Sequence, residues 1–208
     1  MRGLLLTLTL ALGTSAVFAE YKLEKATALP AGLDPALAAM LNKEGHRVLD
    51  AAGKPICELW LRATAPTGPK SSEDAVSLPT LLHGALVGVM NVPARWNDRR
   101  GQTLKPGVYT MRYSMYPING DHQGAAPQRD FFVITPVAED KDPNATPNFD
   151  TLMNMSRKAS STPHPAIFSV WKAEPFKPGL AAEGEDWALQ TKLGDMPVAI
   201  ILVGKVEA

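Results

Sequence analysis

Two segments of this sequence combine side chains that can bind ligands or transfer protons. One places Asp121 beside His122 between two glycines, shortly before Arg129 and Asp130; the other places His164 between two prolines. An imidazole near a carboxylate titrates close to neutral pH, and an arginine can hold a carboxylate through two hydrogen bonds. We therefore predict that a functional site, if the chain has one, forms where Asp121, His122, Arg129, Asp130 and His164 meet.

Both segments also have an ordinary structural explanation. An aspartate in a glycine-flanked turn often caps its own backbone, and two prolines make a rigid connector. The four histidines are far apart, with no pair at the spacing of one helix turn or one strand face. The sequence contains no phosphate-binding loop, nucleophile elbow or zinc-protease motif. It predicts no cofactor and leaves open whether the protein is an enzyme.

Methionines offer a second chemistry, because thioethers and imidazoles bind Cu(I). The side chains for such a site are Met111, Met115, Met153 and Met155, with His122 or His164. Met111 and Met115 alternate with tyrosines, however, and this pattern is typical of core residues in a strand. Copper handling therefore stays an alternative behind core packing.

Cys57 is the only cysteine. It shares a strand face with Leu59 and Leu61, and no neighbouring group would activate a thiol. We predict a buried, unreactive residue in a fold that has no disulfide.

The first nineteen residues resemble a secretory signal peptide. Arg2 precedes an apolar run of about ten residues, half the length of a membrane span, and Val17 and Ala19 are the small residues that signal peptidase requires. We predict cleavage after Ala19, a single domain over residues 20–208, a periplasmic or secreted location, and no membrane-spanning segment.

The charge of the chain bears on its partners. The formal net charge is +0, with 21 basic and 21 acidic residues. Such a balance gives no general attraction to nucleic acid. The expected partner is an unknown small molecule or protein.

Along much of the chain, apolar and polar residues alternate as they do in β-strands. Strands are predicted at 21–28, 47–49, 56–62, 78–92, 108–116, 131–135, 166–171, 187–192 and 198–206. Asp34 caps a short helix over 36–42, and Asn148 or Asp150 caps a second helix that runs through Lys158. The fold class is therefore mainly β, an antiparallel β-sandwich with one or two short helices.

Four stretches resemble an uncharacterised family of exported bacterial proteins. They are residues 101–110 (GQTLKPGVYT), 129–132 (RDFF), 138–143 (AEDKDP) and 157–160 (RKAS). The resemblance implies a bacterial, exported, β-rich protein and no known activity.

These observations favour an exported, soluble binding or interaction domain of unknown ligand. One alternative is a periplasmic hydrolase or metal-dependent enzyme with a site built from Asp121, His122, Asp130 and His164. The other is a copper-handling protein.

Overall fold

Twelve strands and two helices form in the part of the chain that the structure, a computed structural model, describes: residues 21–118 and 129–204. The strands are β1 (Lys22–Ala26), β2 (Gly45–Leu49), β3 (Pro55–Leu61), β4 (Leu86–Val92), β5 (Trp96–Asn97), β6 (Thr103–Leu104), β7 (Gly107–Met115), β8 (Asp130–Pro136), β9 (Ile167–Lys172), β10 (Gly179–Glu183), β11 (Asp186–Leu193) and β12 (Met196–Val203). The helices are α1 (Pro35–Ala39) and α2 (Phe149–Ser160).

The mainly β prediction is confirmed, but the two-sheet sandwich is not. Ten strands form one antiparallel sheet in the order β1-β2-β3-β4-β7-β8-β9-β12-β11-β10, which is nearly closed into a barrel. The strands β5 and β6 form a separate small hairpin. Alternation along a strand reports a buried face, and a curled sheet and a pair of stacked sheets both provide one.

The interior of the curled sheet is filled by side chains from most of its strands. These include Leu59, Met90, Met111, Phe132 and Ile200, none of which has any exposed surface. Two smaller clusters lie on the outer face of the sheet. One contains Leu37 of α1 with Trp60 of β3, and the other contains Leu152 and Met153 of α2 with Phe131 and Val133 of β8.

Both helices begin at the residues that the sequence indicates. The Asp34 carboxylate accepts a hydrogen bond from the backbone N–H of Ala36, and Pro35 occupies the first turn. The Asn148 side chain accepts a hydrogen bond from the backbone N–H of Thr151. Ser161 ends α2 in a left-handed conformation with φ 55°.

The strand β7 is buried on both faces, whereas its sequence predicts a strand buried on one face. Met111 faces the interior, and Arg112 on the opposite face is only 1% exposed. The Arg112 guanidinium donates to both carboxylate oxygens of Asp140, at 2.6 and 2.7 Å, and to the backbone carbonyl oxygens of Gly84, Asp142 and Ala145. All its N–H groups are thereby used, so the loop between β8 and α2 is fastened over the outer face of β7.

Three local predictions can be compared with the structure. Only the second half of the predicted strand 78–92 is a strand, β4, and it has an irregular register with β7 at Gly88. A Cβ at Gly88 would lie 2.5 Å from the carbonyl oxygen of Trp60, so glycine allows the backbones to approach there.

Cys57 is fully buried, as predicted, and the last strand, β12, lies between β9 and β11.

Candidate functional site

The sheet has a seam where its two outermost strands face each other. The strands β1 and β10 approach within 8 Å between Cα atoms, but each pairs with only one neighbouring strand. An added strand would need these two edges about 10 Å apart, since adjacent strands lie about 4.8 Å from each other. The seam is therefore too narrow, at its closest point, for an inserted strand.

Side chains close the seam instead of backbone hydrogen bonds. The ring of Tyr21 packs edge-on against Trp187, with centroids 5.5 Å apart. The Nε2 atom of His46 lies 2.7 Å from the hydroxyl oxygen of Thr191 and joins β2 to β11. These two contacts connect residues that are far apart along the chain.

A cleft of about 660 Å³ opens along this seam. We call it the seam cleft; its lining residues are Leu23, Glu24, Lys25, His46, Phe176, Pro178, Gly179, Gln190, Thr191 and Lys192. Its volume is typical of small-molecule sites. Most of the surface exposed in it is apolar, although six of the ten lining residues have polar or charged side chains.

The charged groups of the seam cleft differ in how far they are neutralised. The Lys25 ammonium lies 2.9 Å from the Glu44 carboxylate. The Glu24 carboxylate lies 4.0 Å from the Arg47 guanidinium. The Lys192 ammonium lies 5.8 Å from the centre of the Phe176 ring and has no carboxylate partner among the described residues. The cleft therefore offers one unpaired cation beside an aromatic ring.

His46 supplies a neutral polar group to the same cleft. Burial lowers the pKa of His46 below 6.5, because the charged imidazolium would lose hydration. With Nε2 held by Thr191, Nδ1 has no hydrogen-bond partner in the described part of the chain and can meet a ligand. The side-chain N–H₂ of Gln190 is similarly unused, whereas its oxygen accepts from the backbone N–H of Lys177 at 2.8 Å.

Asp130 and Arg129, two of the predicted site residues, fasten the segment that precedes β4. The buried Asp130 carboxylate accepts from the backbone N–H groups of Ser77 and Leu78, at 2.8 and 3.0 Å, and from the Tyr113 hydroxyl at 2.7 Å. The Arg129 guanidinium donates to the Glu73 carboxylate at 2.7 Å and to the backbone carbonyl oxygens of Asp74 and Tyr116. Both side chains thus have structural partners.

The structure does not bring Asp130 close to His164. Val133 of β8 pairs with Ile167 of β9, so the segment before β9 lies beside the far end of β8, at Pro136. From Asp130 to Pro136 the strand extends about 20 Å. Asp121 and His122 lie outside the described residues, so a site at their loop stays a prediction.

The methionines of the copper alternative are divided between the two faces of the sheet. Met111 lies in the interior cluster, and Met153, a residue of α2, lies in the cluster between α2 and the outer face of the sheet. Among the described residues, no three His, Cys, Asp or Glu side chains are grouped as metal ligands would be. In the same part of the chain, neither helix has the length and apolar character needed to cross a membrane.

The seam cleft contains none of the residues that sequence reasoning selected. His46 and Thr191 are separated by 145 positions, and neither has a local motif. The one sequence signal is weak: Thr191 lies on the same strand face as Trp187 and Leu189, so its side chain is expected to be buried. Only the curvature of the sheet brings His46 to it.

Comparison with known proteins adds no relative to this picture. The chain matches no protein-family model, no curated protein and no solved structure.

Proposed function

We propose that this protein is an exported binding protein, and that the seam cleft takes a small molecule with an apolar body and an anionic group. The observation that carries the proposal is the Lys192 ammonium beside the Phe176 ring, unpaired within the described residues, at the mouth of a largely apolar cleft. An anionic group would bind the ammonium, and the apolar body would be removed from water against Leu23, Phe176 and Pro178.

The other polar groups of the seam cleft fit the same ligand. The Gln190 N–H₂ group can donate to an anion, and Nδ1 of His46 can make one more hydrogen bond. The carboxylate of Glu24 is partly balanced by Arg47, and that of Glu44 by Lys25. The lining has two lysines, Lys25 and Lys192, and one carboxylate, Glu24, whose neighbour Arg47 is bound more closely by Glu58 at 2.6 Å. The balance of charge in the lining therefore favours an anion over a cation.

The location rests on the sequence. An apolar run that ends in Val17-Phe18-Ala19 is the signal for export, and the described part of the chain has no helix that would anchor it in a membrane.

The test uses 8-anilinonaphthalene-1-sulfonate, which combines aromatic rings with a sulfonate, and dodecanoate as its competitor. We expect saturable fluorescence enhancement that dodecanoate reverses and that dodecanol reverses less well. Lys192→Gln should weaken binding about tenfold, since a charged hydrogen bond contributes about 1.5 kcal/mol or more. Phe176→Ala should weaken it as well.

The matched control is Lys70→Gln, which removes an exposed positive charge outside the cleft. Melting temperatures of all variants must be unchanged, because the dye also binds partly unfolded protein. Absence of binding, or equal binding by Lys192→Gln and Lys70→Gln, would refute the proposal.

A further inference from the structure

A second cleft lies at the hairpin of β5 and β6. Its volume is about 480 Å³, and its walls come from the hairpin and from the end of α2. We call it the basic cleft; its lining residues are Arg95, Arg100, Gly101, Gln102, Thr103, Lys105, Ser160, Ser161 and Thr162. It contains no residue of the seam cleft.

Among the described residues, the lining of the basic cleft includes three positively charged side chains and no carboxylate. Arg95, Arg100 and Lys105 have no ion-pair partner among the described residues. Arg99, their neighbour in sequence, is different: its Nε lies 2.9 Å from both carboxylate oxygens of Asp186. Arg99 is therefore engaged in an ion pair within the fold, whereas the other three cationic side chains line the cleft.

The nearest carboxylate is turned into the hairpin. Asp98 is 2% exposed and accepts hydrogen bonds from the backbone N–H groups of Arg100 and Gln102, at 3.0 and 2.9 Å, and from the Gln102 side chain at 2.8 Å. Burial raises the pKa of Asp98, although these hydrogen bonds and the Arg100 charge act in the opposite direction. The Asp98 side chain therefore holds the turn between β5 and β6 by hydrogen bonds and is not part of the cleft lining.

Gln102 ties the two walls of the basic cleft together. Its Nε2 donates to the carbonyl oxygen of Pro165 at 3.0 Å as well as to Asp98. Its Oε1 accepts from the hydroxyl of Thr162. The cationic side chains therefore lie on or next to a hairpin that is hydrogen-bonded to the end of α2, beside Ser161 and Thr162. Because the backbone of the cleft is already held in place, ligand binding would cost less conformational entropy.

We propose that the basic cleft binds a small molecule through a phosphate or sulfate group. An arginine guanidinium can donate two hydrogen bonds to two oxygens of such a group, and the Ser161 hydroxyl can donate to a remaining oxygen. The chain as a whole has a formal net charge of +0, so no overall positive charge adds to the attraction of a long polyanion. The cleft volume suits a single anionic group with a small body.

The test is calorimetric titration of the full mature chain with inorganic pyrophosphate at low salt. We expect measurable binding that added sodium chloride weakens. Arg100→Gln and Arg95→Gln should each weaken it by about tenfold or more, as expected for loss of one charge-assisted hydrogen bond. Lys54→Gln is the control, because Lys54 is exposed on the turn between β2 and β3.

A second titration, with vesicles that contain phosphatidylglycerol, identifies the source of the phosphate. Binding of pyrophosphate alone supports a soluble ligand, and vesicle binding that is lost in Arg100→Gln supports a lipid headgroup at the same cleft. The proposal is overturned if neither probe binds, or if Arg100→Gln, Arg95→Gln and Lys54→Gln bind alike. Because the seam cleft shares no residue with this one, these outcomes are independent of the anilinonaphthalenesulfonate experiment.

Discussion

Replacing Arg112 by methionine tests the buried ion pair that holds the loop over β7. The change leaves the Asp140 carboxylate, also buried, with the Thr110 hydroxyl at 2.6 Å as its remaining side-chain partner. The backbone carbonyl oxygens of Gly84, Asp142 and Ala145 lose a donor at the same time. Removing one partner of a buried pair costs about 3–5 kcal/mol, out of a typical total stability of about 5–15 kcal/mol.

The assay is urea unfolding followed by tryptophan fluorescence, combined with limited proteolysis of the segment 137–148. We expect Arg112→Met to lose about 3–5 kcal/mol and to be cleaved in this segment under native conditions. Arg112→Lys should lose nearly as much, because an ammonium has three N–H donors and cannot grip a carboxylate and three carbonyl groups together.

The control is Arg95→Met, where the arginine is exposed and has no hydrogen-bond or ion-pair partner among the described residues; its loss should stay within about 0.5 kcal/mol. In the double variant Arg112→Met/Asp140→Leu the loss should be smaller than the sum of the single losses, since no charge remains buried. A loss below about 1 kcal/mol for Arg112→Met would show that the guanidinium does not hold the loop.

Four further outcomes are expected. Burial lowers the pKa of both His46 and His83 below 6.5, so the unfolded chain takes up protons first; the urea midpoint should fall as pH drops below about 6.5, and less so in the variant with glutamine at both positions. Burial raises the pKa of Cys57 to about 12, so a thiol reagent should label it far more slowly in native than in denatured protein, and equal rates would contradict this. Truncation after Asp195 removes β12 from between β9 and β11 and should give insoluble or molten protein; a soluble form with an unchanged melting temperature would place the strand at the periphery. The mass of the exported protein should correspond to an N-terminus at Glu20, and a periplasmic species that retains the leader would contradict it.

Local features of the sequence predict local features of the fold. Alternation gives β7, and Asp34 and Asn148 give the starts of both helices. The same reasoning does not show that Arg112 is buried, because its partner Asp140 lies 28 positions away in a segment that looks like a polar loop. A charged residue on a strand face is ordinarily solvated unless a distant element covers it.

The predicted site depends on strand register, which the sequence does not fix. Asp130 and His164 would be neighbours if their segments lay at the same end of the sheet. The pairing of β8 with β9 puts them at opposite ends of β8. A shift in register moves every side chain of a strand, and the register here is set by the packing of two faces at once.

The strand order divides the sheet into two meanders of unequal size. The seven strands from β1 to β9 in the order pair consecutively, as do β10, β11 and β12. A backbone hydrogen bond from the N–H of Gly194 to the carbonyl oxygen of Arg62 and the ion pair of Arg99 with Asp186 link the two units. Among the described residues, strand pairing links them between β9 and β12, in the stretch from Val170 to Lys172. On the other side they meet through His46, Thr191 and the ring of Trp187.

In strand pairing, the unit of β10, β11 and β12 is therefore joined to the rest of the sheet at β9, and at the seam cleft it is held by side chains. The edge strand β10 is the most exposed strand of the smaller unit and, among the described residues, pairs with β11 alone. Opening should therefore spread from β10 towards β12, and backbone amides should exchange hydrogen in that order. A molecule held in the seam cleft contacts both units of the sheet. It would therefore slow the exchange of amides far from any atom it contacts.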